Sequence, residues 1–94
     1  MPAVWLQSSI ADLRAIELYI DHDNPAAARA VKRRIVAAVG HLERQPNLGR
    51  GGRIPGTREL IVPGTPYIVA YTAMSGEVVT LAVIHGARKW PGSV

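Results

Sequence analysis

The dipeptide Asn24-Pro25 constrains this chain more than any other feature. It separates two stretches of helical periodicity and cannot lie inside either of them. Proline lacks the N–H that a helix interior needs, whereas at the first helical position that donor is unused. Asparagine immediately before it is a strong N-cap, because its side-chain oxygen can accept from a free amide of the first turn. The front half is therefore predicted as two helices joined by a few residues, an antiparallel hairpin. Such a hairpin buries one stripe per helix and needs a second layer to bury it against.

The first helix is predicted from Ile10 to about His22, with Ser9 as N-cap and Asp12 completing a box-like start. Leu13, Ile16 and Ile20 form its main apolar stripe. A second strip (Ala11, Ala15, Leu18, Tyr19) lies on other faces, so this helix is expected to be wedged between neighbours or to help cover a partner. The second helix is predicted to run to about Gln45, stopped by Pro46. Ala28, Val31, Ile35, Ala38, Val39 and Leu42 line its core face, and Arg29, Arg33 and Arg44 the opposite one.

The second layer comes from strands. Residues 3–7 read as a short opening strand. Residues 46–56 are a Gly/Pro/Arg loop without periodicity. Three strands follow, Thr57–Val62, Tyr67–Ala73 and Val78–His85. Pro63-Gly64 suits a type II turn between the first two, and Ser75-Gly76 a tight hairpin between the last two. In the last strand Val79, Leu81, Val83 and His85 are expected on one face, with Val78, Thr80, Ala82 and Ile84 on the other. The order β-α-α-β-β-β predicts an α+β fold, a two-helix hairpin packed on a small, twisted, mainly antiparallel sheet. With 94 residues the chain is expected to form a single domain, residues 1–94.

Charge is unevenly spread along that order. Residues 1–24 hold one Arg against Asp12, Glu17, Asp21 and Asp23, a balance of −3. Residues 25–94 hold ten Lys or Arg against Glu43, Glu59 and Glu77, a balance of +7. A basic two-thirds points to an acidic or polyanionic partner. There is no cysteine, and His22, His41 and His85 fall at unrelated spacings, so no metal site and no cofactor are expected. The longest apolar run, Val78 to Ile84, is far short of a membrane span, which predicts a cytoplasmic protein with no membrane partner.

No paired carboxylates, P-loop, G-x-S-x-G or HExxH stand where chemistry would need them. Gly49 to Gly52 is glycine-rich, but no strand leads in and no helix follows, so a phosphate cradle is disfavoured. What remains is a set of arginines: Arg50 and Arg53 in the loop, Arg58 at the head of a strand, and Arg88 with Lys89 after the last strand. Adjacent strand ends would gather them into a basic rim. Arginine suits such a rim because its planar fork binds phosphate or carboxylate bidentately. His85 continues an apolar row and reads as a structural, hydrogen-bonded residue; Trp90 could plug the core or stack on a base. Tyr67 and Tyr71 share a strand face and read as packing neighbours.

Three segments now combine: Gly56-Thr57-Arg58-Glu59-Leu60, Pro66-Tyr67-Ile68-Val69-Ala70-Tyr71, and Val83-Ile84-His85-Gly86-Ala87-Arg88-Lys89-Trp90-Pro91. Together with Ala11-Asp12-Leu13, Tyr19-Ile20, Asn24-Pro25-Ala26-Ala27-Ala28 and Gly49-Arg50, they resemble the RelE/ParE toxins over nearly the whole chain. The resemblance implies a small toxin of a type II toxin–antitoxin pair, silenced by a cognate antitoxin and reaching promoter DNA only through it. It implies one of two targets. ParE-like members inhibit DNA gyrase. RelE-like members are endoribonucleases that cut mRNA in the ribosomal A site with several basic residues and, often, a C-terminal tyrosine.

The ribonuclease pattern is incomplete in this chain. Arg58 and Arg88 match its basic positions, but Ile68 stands where the strand arginine is common, and the end Trp90-Pro91-Gly92-Ser93-Val94 has no tyrosine. The His85-Gly86-Ala87-Arg88 ending is more similar to ParE. The expectation is thus a gyrase inhibitor rather than an enzyme, with Arg50, Arg53, Arg58, Arg88, Lys89 and Trp90 meeting target or antitoxin. The alternatives are a ribosome-dependent mRNA interferase using Arg58 and Arg88, and an inactive, toxin-derived binding module.

Overall fold

In the computed structural model, which describes residues 1–86, Asn24 caps the second helix as its position predicted. Its side-chain oxygen accepts from Ala27 N–H at 3.1 Å, and Pro25 opens α2 (Pro25–Arg44). The partner helix α1 spans Gln7–Asp21. A strand β1 (Ala3–Trp5) precedes them, and β2 (Arg50–Gly51), β3 (Arg58–Ile61), β4 (Tyr67–Met74) and β5 (Glu77–His85) follow. The sheet order is β1-β5-β4-β3-β2, with β1 parallel to β5 and every other pair antiparallel. This is the α+β fold expected, with one strand more. The two-residue β2 pairs with β3 inside the stretch read as a plain loop. Its glycine-rich sequence carries no alternation that could have announced it.

Both predicted turns form. Thr65 N–H bonds to Val62 O at 3.2 Å across Pro63-Gly64, and Gly64 takes the positive φ of 75° that a type II turn requires. Ser75 and Gly76 both have positive φ, 56° and 79°, the type I′ geometry that follows the twist of a hairpin.

The core lies between the hairpin and one face of the sheet. From α2, Ala28, Ile35, Ala38, Val39 and Leu42 are buried and Val31 half-buried; from α1, Leu13 is buried, with Ile16 and Ile20 packed against the core. They meet Tyr67, Val69, Tyr71, Val78 and Val83 from the strands and Val62 just after β3. Tyr67 and Tyr71 share this face but enter different clusters, so they are not packing neighbours. The strip Ala11, Ala15, Leu18, Tyr19 stays outside: Leu18 is 71% and Tyr19 79% exposed. Helix α1 is therefore not wedged between described elements.

Two expectations are corrected where α1 meets β5. The helix begins two residues before the predicted cap, behind Leu6, whose side chain caps nothing. Ser9 lies inside the first turn, fully buried. Its hydroxyl donates to Leu6 O at 2.7 Å and sits 2.9 Å from Thr80 Oγ1. Asp12 is no capping-box member either, because its carboxylate accepts from Val83 N–H at 3.0 Å. Ser8 donates to Leu81 O at 2.8 Å. Strand β1 pairs with β5 only through Thr80, so these α1 side chains satisfy β5 backbone groups beyond its reach.

The alternation along β5 is also interrupted. Tyr71 pairs with Thr80 but Ala70 with Ala82, leaving Leu81 as the extra residue of a β-bulge. One added residue exchanges the faces of everything after it. Val83 thus joins the helix-side core with Val78, opposite to the uniform alternation predicted, while Ala82 and Ile84 join Ile68 and Ala70 on the other face. His85 follows Val83 and meets Tyr67 edge-on, ring centres 5.6 Å apart.

Candidate functional site

The predicted basic rim is split by the pleat of the sheet. Directly opposed residues on paired strands share a face. Arg50 is opposite Glu59, which is opposite Ala70, on the face away from the helices. Arg58 is opposite Tyr71, on the helix side. The loop arginines and the strand arginine therefore point to different sides of β3. Arg88, Lys89 and Trp90 lie outside the described residues.

On the outer face, Glu59 gathers the two loop arginines. Its side chain is 1% exposed. Arg50 Nη2 is 3.7 Å from Oε1 and Arg53 Nε 3.5 Å from Oε2. Arg53 N–H also donates to Oε2 at 3.1 Å. A buried carboxylate requires such compensation. Neither arginine is simply solvated, although the Arg50 side chain remains 61% exposed. Sequence pattern alone gives Glu59 no role. Its only sequence signal is that it is the one acid among residues 44–76.

On the helix side, Tyr71 and Arg58 hold the segment that leaves α2. The buried Tyr71 hydroxyl accepts from Gly49 N–H at 2.9 Å and donates to Pro46 O at 2.8 Å. Arg58 Nη1 donates to Gly49 O at 2.8 Å and Asn47 O at 3.4 Å. A Cβ on Gly49 would stand 2.7 Å from the Tyr71 hydroxyl, so only glycine fits there. Burial pushes the Tyr71 hydroxyl above the ordinary phenol value of 10.0, partly offset by the Gly49 hydrogen bond and the Arg58 charge. Arg58 also lines a shallow, open depression of about 390 Å³ with Asn47, Gly51, Gly56, Thr57, Ala73 and Met74.

This arrangement presents cations, not an acid–base pair. Among the described residues no group of three or more His, Cys, Asp or Glu could hold a metal ion, and no helix is long and apolar enough to cross a membrane.

A two-helix hairpin on one face of a five-stranded mixed sheet is the fold of the RelE/ParE toxin superfamily. Among solved structures, the chromosomal ParDE toxin–antitoxin system of P. aeruginosa matches with a TM-score of 0.85 at 26% identity, covering 90% of this chain and 95% of that one. The RelBE2 toxin–antitoxin complex of Mycobacterium tuberculosis matches at 0.62 and 26%, covering 89% and 95%. The family model of the ParE toxin of type II toxin–antitoxin systems matches residues 3–90, and the chain belongs to that family. It is 41% identical over 87 residues to toxin Y4kP of Sinorhizobium fredii, covering 93% of this chain and 90% of that protein. It is 33% identical over 85 residues to toxin RelE2 of Caulobacter vibrioides, covering 90% and 94%.

Proposed function

We propose that this toxin acts by binding DNA gyrase and arresting it, and that a cognate antitoxin silences it. The observation that carries the target assignment is the splitting of the arginines. A metal-free ribonuclease needs groups converging on one scissile phosphate, to align the nucleophile, offset developing charge and protonate the leaving oxygen. Here Arg50 and Arg53 are drawn to Glu59 on one face and Arg58 is held under the loop on the other. Ile68, where the ribonuclease pattern favours arginine, is an apolar member of the outer cluster. Cations spread over two faces of an edge suit contact with a large protein surface better than catalysis at a point.

The antitoxin partner is supported by the two matching structures, both of toxin–antitoxin systems. The exposed Leu18 and Tyr19 and the basic face of Arg29, Arg33 and Arg44 suit an acidic, amphipathic partner segment. Apolar anchors would supply the affinity, with charge mainly raising the association rate. A second reading, ribosome-dependent message cleavage, is favoured by the 33% identity to toxin RelE2. Purified toxin is tested in two parallel assays, supercoiling by gyrase and cleavage on programmed ribosomes. The proposal expects supercoiling blocked and the message whole. Efficient cleavage with untouched supercoiling would replace it by the second reading, with Arg58 and Arg88 as the first residues to mutate.

A further inference from the structure

We infer that Tyr71 is a positioning residue for the arginine end of the sheet, acting through its hydroxyl on the segment 46–49 and on Arg58. The inference rests on the reading that this end meets the target.

The geometry begins with a cross-strand pair. Tyr71 on β4 and Arg58 on β3 are directly opposed, so their side chains leave the sheet together on the helix side. Both reach residues 46–49, the four that lead into β2. The hydroxyl bonds to the first and the last of them, donating to Pro46 O and accepting from Gly49 N–H. A tyrosine hydroxyl has one proton to give, so these two bonds fix its direction. The guanidinium takes two other carbonyls of the same segment, Asn47 O and Gly49 O. Four backbone groups that no ladder satisfies thus depend on one phenol and one guanidinium nitrogen.

Arg58 gains a fixed orientation from this. Its Nη1 is committed to the segment, while Nη2 and Nε have no partner among the described residues and the residue lines the open depression. That free edge is the fork that could take a carboxylate or phosphate of the target bidentately. The direction of the fork is set by where Gly49 O and Asn47 O stand, and Tyr71 sets where they stand. Gly49 runs directly into Arg50, so the same bonds also place the start of β2 against β3.

Nothing in core packing requires the hydroxyl. The ring fills space beside Leu42 and Val78, and phenylalanine would fill it equally. Tyr71→Phe leaves that packing but removes the acceptor from a buried Gly49 N–H and the donor from Pro46 O. The segment must then move toward water to satisfy both.

The test reads growth arrest on unopposed expression, quantified as the inducer level that halves plating, for wild type, Tyr71→Phe, Arg58→Ala and the double variant. Asp12→Ala, at the far end of β5, serves as the control for lost stability. Amide exchange on the purified proteins checks the mechanism. Tyr71→Phe should speed exchange of Gly49 and its neighbours ~100-fold, leave the β4–β5 amides protected, and weaken arrest by about tenfold. In the Arg58→Ala background it should add nothing further, because both residues act through one fork. Asp12→Ala should arrest growth as wild type does while its protein is folded.

Two outcomes would overturn the inference: unchanged arrest despite fast exchange at Gly49, or losses from Tyr71→Phe and Arg58→Ala that simply add. A wild type that arrests growth without touching gyrase overturns the target reading alone. A wild type that never arrests growth overturns both.

Discussion

The two ends of the sheet solve one problem with different means. At the end where β5 outruns β1, and at the end where segment 46–57 crosses β3, backbone groups lie beyond any ladder partner. At the first end, Ser8 and Asp12 of α1 satisfy Leu81 O and Val83 N–H, with Ser9 and Thr80 buried beside them. This needs a helix fixed in the core, and only one charged group takes part. At the second, Tyr71, Arg58 and Glu59 do the work, and three guanidiniums stand at the surface when it is done. The first end is a structural joint. The second spends its satisfied bonds on holding cations in place, which is the arrangement a binding edge requires.

Substitutions should separate the two ends. The largest effect is expected from Glu59→Ala, which leaves Arg53 N–H and two guanidiniums without their shared carboxylate. It should cost about 2–3 kcal/mol in urea unfolding and release residues 50–53 to amide exchange. Glu59→Gln keeps an acceptor and should cost about half as much; a cost equal to that of Glu59→Ala would mean that the charge carries the whole effect, and no cost that the charge is irrelevant. Next, Asp12→Ala should cost about 1–2 kcal/mol by orphaning Val83 N–H, with no change in exchange at residues 46–53. A change there would show the two ends to be coupled.

A smaller effect depends on pH. The raised Tyr71 value means that the folded state favours the neutral phenol. Its contribution is therefore complete below the ordinary value of 10.0 and is lost as pH rises through the raised one. Thermal midpoints of wild type should fall faster than those of Tyr71→Phe as pH rises from the ordinary value of 10.0 to the raised one. Parallel curves would mean that the hydroxyl is not protected. Smallest of all, Arg50→Ala should shift stability by no more than about 0.5 kcal/mol, because an exposed arginine holds little folding energy even when paired. A larger loss would make Arg50 structural.

Legibility in the sequence followed the periodicity. Asn24-Pro25, the α2 stripe from Ala28 to Leu42, and the turns at Pro63-Gly64 and Ser75-Gly76 each act within a few residues, and each formed as predicted. The start of α1 was misplaced because Ser9 and Asp12 imitate a cap. Their true partners, Thr80 and Val83, lie about seventy residues away along the chain. The bulge at Leu81 left no mark, since Val79, Leu81 and Val83 alternate well on paper. At the site, the arginines were legible as a set but not as two faces. Their division depends on β2, which is two residues long, and on a single buried acid, and neither has a period.

The division of labour between the ends is tested most directly by gyrase supercoiling with two variants side by side, each assayed well below its thermal midpoint. Asp12→Ala should be less stable than wild type and equally inhibitory. Arg58→Ala should stay within about 1 kcal/mol of wild type in stability and need at least about tenfold more protein for the same inhibition. Retained potency in Arg58→Ala, with potency lost in folded Asp12→Ala, would contradict the account and move the functional surface to the other end of the sheet.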